Sequence, residues 1–182
     1  MRDLFASLMS KPTRETYLEL RRQLIESEHY DPYSNDLQSA EEALGAENLE
    51  KAEELLRGGM PNLLLSPTAH LLISFIMHKK GDEQGSEVER YIAMACSEAM
   101  TQSGDGTQES PYLVLRTSDE YDLLRYLEKE FAGQGLVEKD GRFYDSMKCT
   151  DGEEIWFEIT EMYAKLSEKL GFNDEMDDIP PA

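Results

Sequence analysis

The residues of this chain best suited to chemistry are few and scattered. His70, Ser74 and His78 stand four residues apart, so on a helix they form one polar ridge beside an apolar stripe. A metal site would need a third ligand and an outer ring of hydrogen bonds, and Lys79-Lys80 places positive charge beside the ridge. The ridge therefore reads as an ordinary solvated helix face or, in a helical-repeat array, as a contact with a partner, rather than as a metal site. No HExxH pattern is present. Cys96 and Cys149 are too few for a disulfide framework or a four-ligand zinc site. A cysteine nucleophile needs a neighbouring base, and the C-terminal half holds no histidine, so both should be free thiols. Asp105, Asp140 and Asp151 each precede glycine, which is turn chemistry and supplies too few oxygens for a calcium loop. Gly133-Gln134-Gly135 lacks the third glycine of a phosphate loop. With 38 acidic residues, no carboxylate pair is singled out for acid–base work. No catalytic residue, metal or cofactor is expected.

The elements that must hold these residues begin with helices. Leu4, Phe5, Leu8 and Met9 recur at one-face helical spacing, and after Pro12-Thr13 a second face carries Tyr17, Leu20 and Leu24. His29 to Asn35 is a turn, with Pro32 biasing Asp31 away from helix. A third helix holds Leu37, Ala40, Ala43 and Leu44 and stops at Gly45. Asn48 caps a fourth, with Leu49, Ala52, Leu55 and Leu56, which Gly58-Gly59 end. Ser66-Pro67 opens a fifth, whose packing stripe is read as Leu71, Leu72, Phe75 and Ile76 and whose stop is Gly81. From about Ser86 a sixth buries Val88, Tyr91, Ile92, Ala95 and Ala99. A shift of 34 residues lays Leu37 over Leu71 and Glu47-Asn48 over Gly81-Asp82, the period of tetratricopeptide helix pairs. Such pairs bury their apolar faces by stacking, and a ridge such as His70, Ser74 and His78 would line their groove.

Residues 103–111 contain no apolar side chain except a proline, and beyond them the period changes. Tyr112 to Thr117 reads as a strand, and Ser118 as the cap of a helix carrying Tyr121, Leu124, Leu127 and Phe131. Gly135 to Lys139 and Arg142 to Cys149 flank Asp140-Gly141 as a hairpin. Glu154 to Ile159 is a further strand, and Thr160 caps a last helix bearing Tyr163, Leu166 and Leu170 and ending at Gly171. The fold class is therefore α+β. Tetratricopeptide-like helical hairpins over residues 1–103 precede a small, mainly antiparallel β-α-β-β-β-α unit over 104–172 that packs on them, and 173–182 form a disordered acidic tail. Among the strand aromatics, Tyr144 and Trp156 are the candidates for an outward recognition surface.

Charge narrows the partner. The chain has 182 residues and a net charge of −20, with an acidic excess in every block and the largest after residue 103. Nucleic acid and anionic membrane surfaces are excluded as expected partners, because both require a basic surface. No apolar run is long enough to cross a bilayer, and the start MRDLFASLMSKPTRE has no signal-peptide apolar stretch, so a cytoplasmic location is expected.

The succession Asp31-Pro32-Tyr33-Ser34, the helix pairs, Gly104-Asp105-Gly106-Thr107 and Ser118-Asp119-Glu120-Tyr121 resembles a bacterial family of unknown function, number 4919. The resemblance extends to the hairpin Lys139 to Asp145 and the aromatic strand Trp156 to Ile159, covering roughly residues 28–160. It implies the same architecture and no activity, and this chain differs from many members in lacking a secretion signal. The expected function is a non-enzymatic protein-interaction module. The alternative is an acidic antagonist, of immunity-protein or DNA-mimic type, that neutralises a basic partner.

Overall fold

A computed structural model describes residues 1–170, so the expected tail at 173–182 and the stop at Gly171 lie outside the described residues. The described chain runs α1 (Arg2–Ser10), α2 (Arg14–Ile25), α3 (Asp36–Gly45), α4 (Leu49–Gly58), α5 (Pro67–Lys79) and α6 (Glu83–Thr101). Then follow β1 (Tyr112–Leu113), α7 (Thr117–Tyr126), β2 (Phe131–Lys139), β3 (Arg142–Cys149), β4 (Glu154–Glu158) and α8 (Thr160–Leu170). This is an α+β fold, helical first and then built on a four-stranded sheet of order β1-β4-β3-β2. β2, β3 and β4 are antiparallel neighbours, and β1 lies parallel to β4.

Local chemistry sets the helix ends. Thr13, Asn48 and Ser66 each accept a hydrogen bond from a first-turn N–H of α2, α4 and α5, at 3.3, 3.0 and 3.2 Å. Asp82 does the same for α6 through Gly85, and for that reason α6 starts at Glu83, ahead of the expected Ser86. α7 departs from the expected pattern. Its cap position is Arg116, and Ser118 lies inside the helix while Asp119 reaches back to the Leu115 N–H at 3.1 Å. α7 also stops short of Phe131: Glu128 takes a left-handed φ of 57°, the Lys129 N–H closes on the Leu124 carbonyl at 2.8 Å, and Phe131 opens β2 instead.

The expected strand over 112–117 is only two residues long, for a physical reason. Tyr17 and Tyr30 donate their hydroxyls to the carbonyls of Leu113 and Leu115, at 2.6 and 2.9 Å. Arg21 takes the Val114 carbonyl with two N–H groups, at 3.2 and 3.1 Å, and holds Glu161 of α8 at 2.8 Å. Side chains of α2 and of the loop after it thus take the backbone acceptors that a neighbouring strand would otherwise use.

The core does not divide at residue 103. One apolar cluster joins Leu8, Tyr17 and Leu20 to Leu115, Leu123, Met147 and Phe157, and a second fills the space among α3, α4 and α5 with Ala40, Leu56, Leu63, Ile73 and Ile76. Two predicted stripes are corrected in part: Ile76, Ala95 and Ala99 are buried as expected and Leu72 and Ile92 pack on the core, while the remaining members turn outward. α5 buries Ala69, Ile73 and Ile76 and leaves Leu71 and Phe75 outside; α6 buries Ala93, Cys96, Ala99 and Met100 and exposes Val88 and Tyr91. α5 is apolar on nearly every face, so spacing alone did not select the buried one. No helix among the described residues is long and apolar enough to cross a membrane.

Candidate functional site

The histidine ridge faces inward. His70 is 4% exposed, with Nδ1 2.6 Å from a Glu89 carboxylate oxygen, Nε2 3.0 Å from the Leu64 carbonyl and Phe5 stacked over its ring. Ser74 donates to the Ser86 carbonyl at 2.9 Å. Only His78, at the exposed end of α5, remains accessible, beside Glu83 at 3.0 Å. His70 and Ser74 therefore bind α5 to α6 and are closed to a partner, which corrects their placement in a groove. The cause is the rotation of α5 just described: turning Ile73 and Ile76 toward α3 and α4 turns 70 and 74 onto α6.

The same rotation turns apolar side chains outward. Leu71 and Phe75 stand one turn apart on α5, 43% and 45% exposed, with the Lys79 ammonium 5.3 Å from the Phe75 ring. Val88, Tyr91 and Met94 run along α6 at three-residue steps, each more than half exposed. Five of the eight large apolar residues exposed among the described residues therefore belong to this one hairpin.

Tyr144 and Trp156 share one face of the sheet. Register sets Tyr144 opposite Glu158 and Ser146 opposite Trp156, whereas Met147, Ile155 and Phe157 point to the other face and into the core. The two rings meet edge-on at 6.3 Å and are half-buried. Gly133 and Gly135 lie on the same face, opposite Lys148 and Ser146.

Sequence reasoning missed the buried acids. Asp119, Glu120 and Asp122 of α7 and Asp145 of β3 are all buried. Asp122 accepts from the Thr68 N–H and hydroxyl at 3.0 and 2.6 Å and pairs with Arg125. Asp119 pairs with Arg116, yet burial outweighs that cation and pushes its carboxyl up to about 6. Glu120 has no accessible surface and no hydrogen-bond partner at either carboxyl oxygen. Burial first, and the nearby Asp145 charge second, push its carboxyl up to about 9, so it is buried as the neutral acid. The signal was present in the sequence: Glu120 opens the 120/123/124/127 stripe whose later members are leucines.

A cleft of about 410 Å³ lies between α3 and the start of α7, walled by Tyr33, Gln38, Ser118, Tyr121 and Arg125. Its two arginines are already engaged, Arg116 by Asp119 and the Asn62 carbonyl and Arg125 by Asp122. Cys96 and Cys149 are buried and unpaired. Among the described residues, no three His, Cys, Asp or Glu side chains converge in a way that could hold a metal ion. The arrangement offers contact surfaces: an outward apolar hairpin and an aromatic sheet face. Searches of known families, curated proteins and solved structures find no match to this chain.

Proposed function

We propose that this chain is a protein-interaction module of the bacterial cytoplasm, a tetratricopeptide-like scaffold or adaptor that docks another protein and performs no reaction of its own. The observation that carries this reading is the outward apolar surface of the α5–α6 hairpin, where the Tyr91 hydroxyl donates to the Met9 carbonyl of α1 while the side chains remain exposed, on a chain of net charge −20. A partner that suits it presents an amphipathic helix, apolar toward Phe75 or Tyr91 and basic at its margins. Membership of family 4919 is part of the same proposal and rests on the motifs quoted above. Capture from bacterial lysate at low and high salt tests it, with wild type beside Phe75→Glu and Tyr91→Glu. Enrichment of one partner by wild type, lost in the variants, supports the reading; identical capture by all three overturns it.

The charge alone favours a second reading, the acidic antagonist. It expects a single basic partner whose association rate falls steeply with salt while Phe75→Glu changes little.

A further inference from the structure

The sheet has one long free edge. Among the described residues β2, nine residues long, pairs only with β3 and stands at the end of the order β1-β4-β3-β2. From Phe131 to Val137 it carries no charged residue and no proline, in a chain where 31% of residues are charged. Proteins ordinarily blunt such an edge with lysine, proline, brevity or a covering element. Here the devices are one irregularity, between Phe131 and Gly133, and the charged pair Glu138-Lys139 at the far end, which leave the stretch between them bare. Leu136 is 58% exposed and Phe131 43%. A Cβ added at Gly133 would meet nothing within 4 Å, and one at Gly135 would meet only the Ser146 hydroxyl at 3.3 Å. These glycines lie on the sheet face that carries Tyr144 and Trp156, so bare backbone borders the aromatic pair. A large side chain from a neighbouring strand can lie across such glycines.

The surrounding charge selects the occupant. Residues 128–154 hold eight acidic and four basic side chains. Two of the bases are already committed, Lys129 to Asp151 and Glu153 at 2.8 Å and Arg142 to Glu158 at 3.5 Å. A second copy of the chain would bring another −20 against this edge. We propose that the free edge of β2 receives an extended segment of a partner protein as a fifth strand, with Lys or Arg at its ends and aromatic or β-branched side chains alternating between them. Backbone pairing supplies the attachment, and the bare stretch at Gly133 and Gly135 selects the large side chain set over it. This surface is separate from the α5–α6 hairpin, so the two readings stand or fall independently.

The test uses the whole chain and three synthetic peptides. One is Lys-Val-Thr-Tyr-Thr-Val-Lys; the second is the same peptide N-methylated at alternate residues along one edge; the third has Glu in place of both Lys. Binding is read by amide chemical shifts and hydrogen exchange of the protein. The first peptide is expected to shift and protect amides of β2, and the other two to bind about tenfold more weakly or worse. Leu136→Glu, checked for an unchanged melting temperature, should also weaken the first peptide, while Phe75→Glu should leave it unchanged. No binding at millimolar peptide, equal binding of the N-methylated peptide, or shifts confined to α5 and α6 would overturn the proposal. Self-association of the protein through β2, seen by sedimentation, would overturn it in favour of a second copy.

Discussion

Replacing Glu120 by Gln should make the protein more stable at neutral and alkaline pH. Glu120 is fully buried, its oxygens lack partners, and burial pushes its carboxyl up to about 9 from an ordinary value of 4.5. Below the ordinary value, the folded and unfolded chains both hold the proton, and the residue's contribution is complete. As pH rises through the interval between the two values, the unfolded chain releases the proton while the folded chain keeps it. Each pH step therefore removes about 1.4 kcal/mol of stability until the folded carboxyl itself ionises. At pH 7.5 the accumulated cost is about 4 kcal/mol. Gln keeps the shape, needs no proton, and can donate an N–H toward Asp145.

Urea unfolding of both proteins at pH 5 and pH 8 measures the effect. The advantage of Glu120→Gln should grow by about 2–4 kcal/mol between the two conditions. Asp119, pushed up to about 6, adds a slope of the same sign that is common to both proteins and cancels in the difference. A carbon-13 titration of the Glu120 carboxyl in the wild type supplies an independent reading. Parallel stability curves, or a titration midpoint in the ordinary carboxylate range, would refute the reasoning.

Three further perturbations address the joints of the fold. Arg21→Met strands the Val114 carbonyl and leaves Glu161 without its partner, and should cost about 2–4 kcal/mol in urea unfolding. Gly106→Ala forces a side chain into a φ of 78° and sets a Cβ 2.7 Å from the Tyr112 ring; it should lower stability by about 1–3 kcal/mol. Cys96, whose thiol burial holds far above its usual range, and Cys149, also raised by burial, should resist Ellman's reagent in the native protein and react together once it is denatured.

What could be read from the sequence was what neighbours in the chain decide. Asn48, Ser66-Pro67 and Gly81 mark helix ends because a cap bonds within three residues or a turn needs its own φ. The hairpin at Asp140-Gly141 is legible for the same reason, with Lys139 opposite Arg142. Facing was not legible. Ala69 and Ile73 compete with Leu71 and Phe75 on α5, and only the position of α3 and α4 settles which pair is covered. The end of α7 was hidden too, since a glutamate, Glu128, occupies the left-handed position where glycine is the usual sign. At the candidate site, alternation along β3 and β4 pairs Tyr144 with Trp156, whereas the burial of His70 depends on Glu89, 19 residues away.

The composition break at residues 103–111 marks a change of secondary structure, and the packing crosses it. Leu115, Met147 and Phe157 are buried in one cluster with Leu8, Tyr17, Leu20, Cys96 and Met100. The carbonyls of Leu113, Val114 and Leu115 are satisfied by side chains from before the break. A fragment of residues 104–170 would thus lose both the apolar cover of its sheet and the donors for three consecutive carbonyls, a deficit larger than the whole stability of a domain that size. Expressed alone it should lack dispersed amide resonances, and mixing it with residues 1–103 should restore them. A folded, cooperative 104–170 fragment would mean that the tyrosine and arginine contacts from α2 to this segment are incidental.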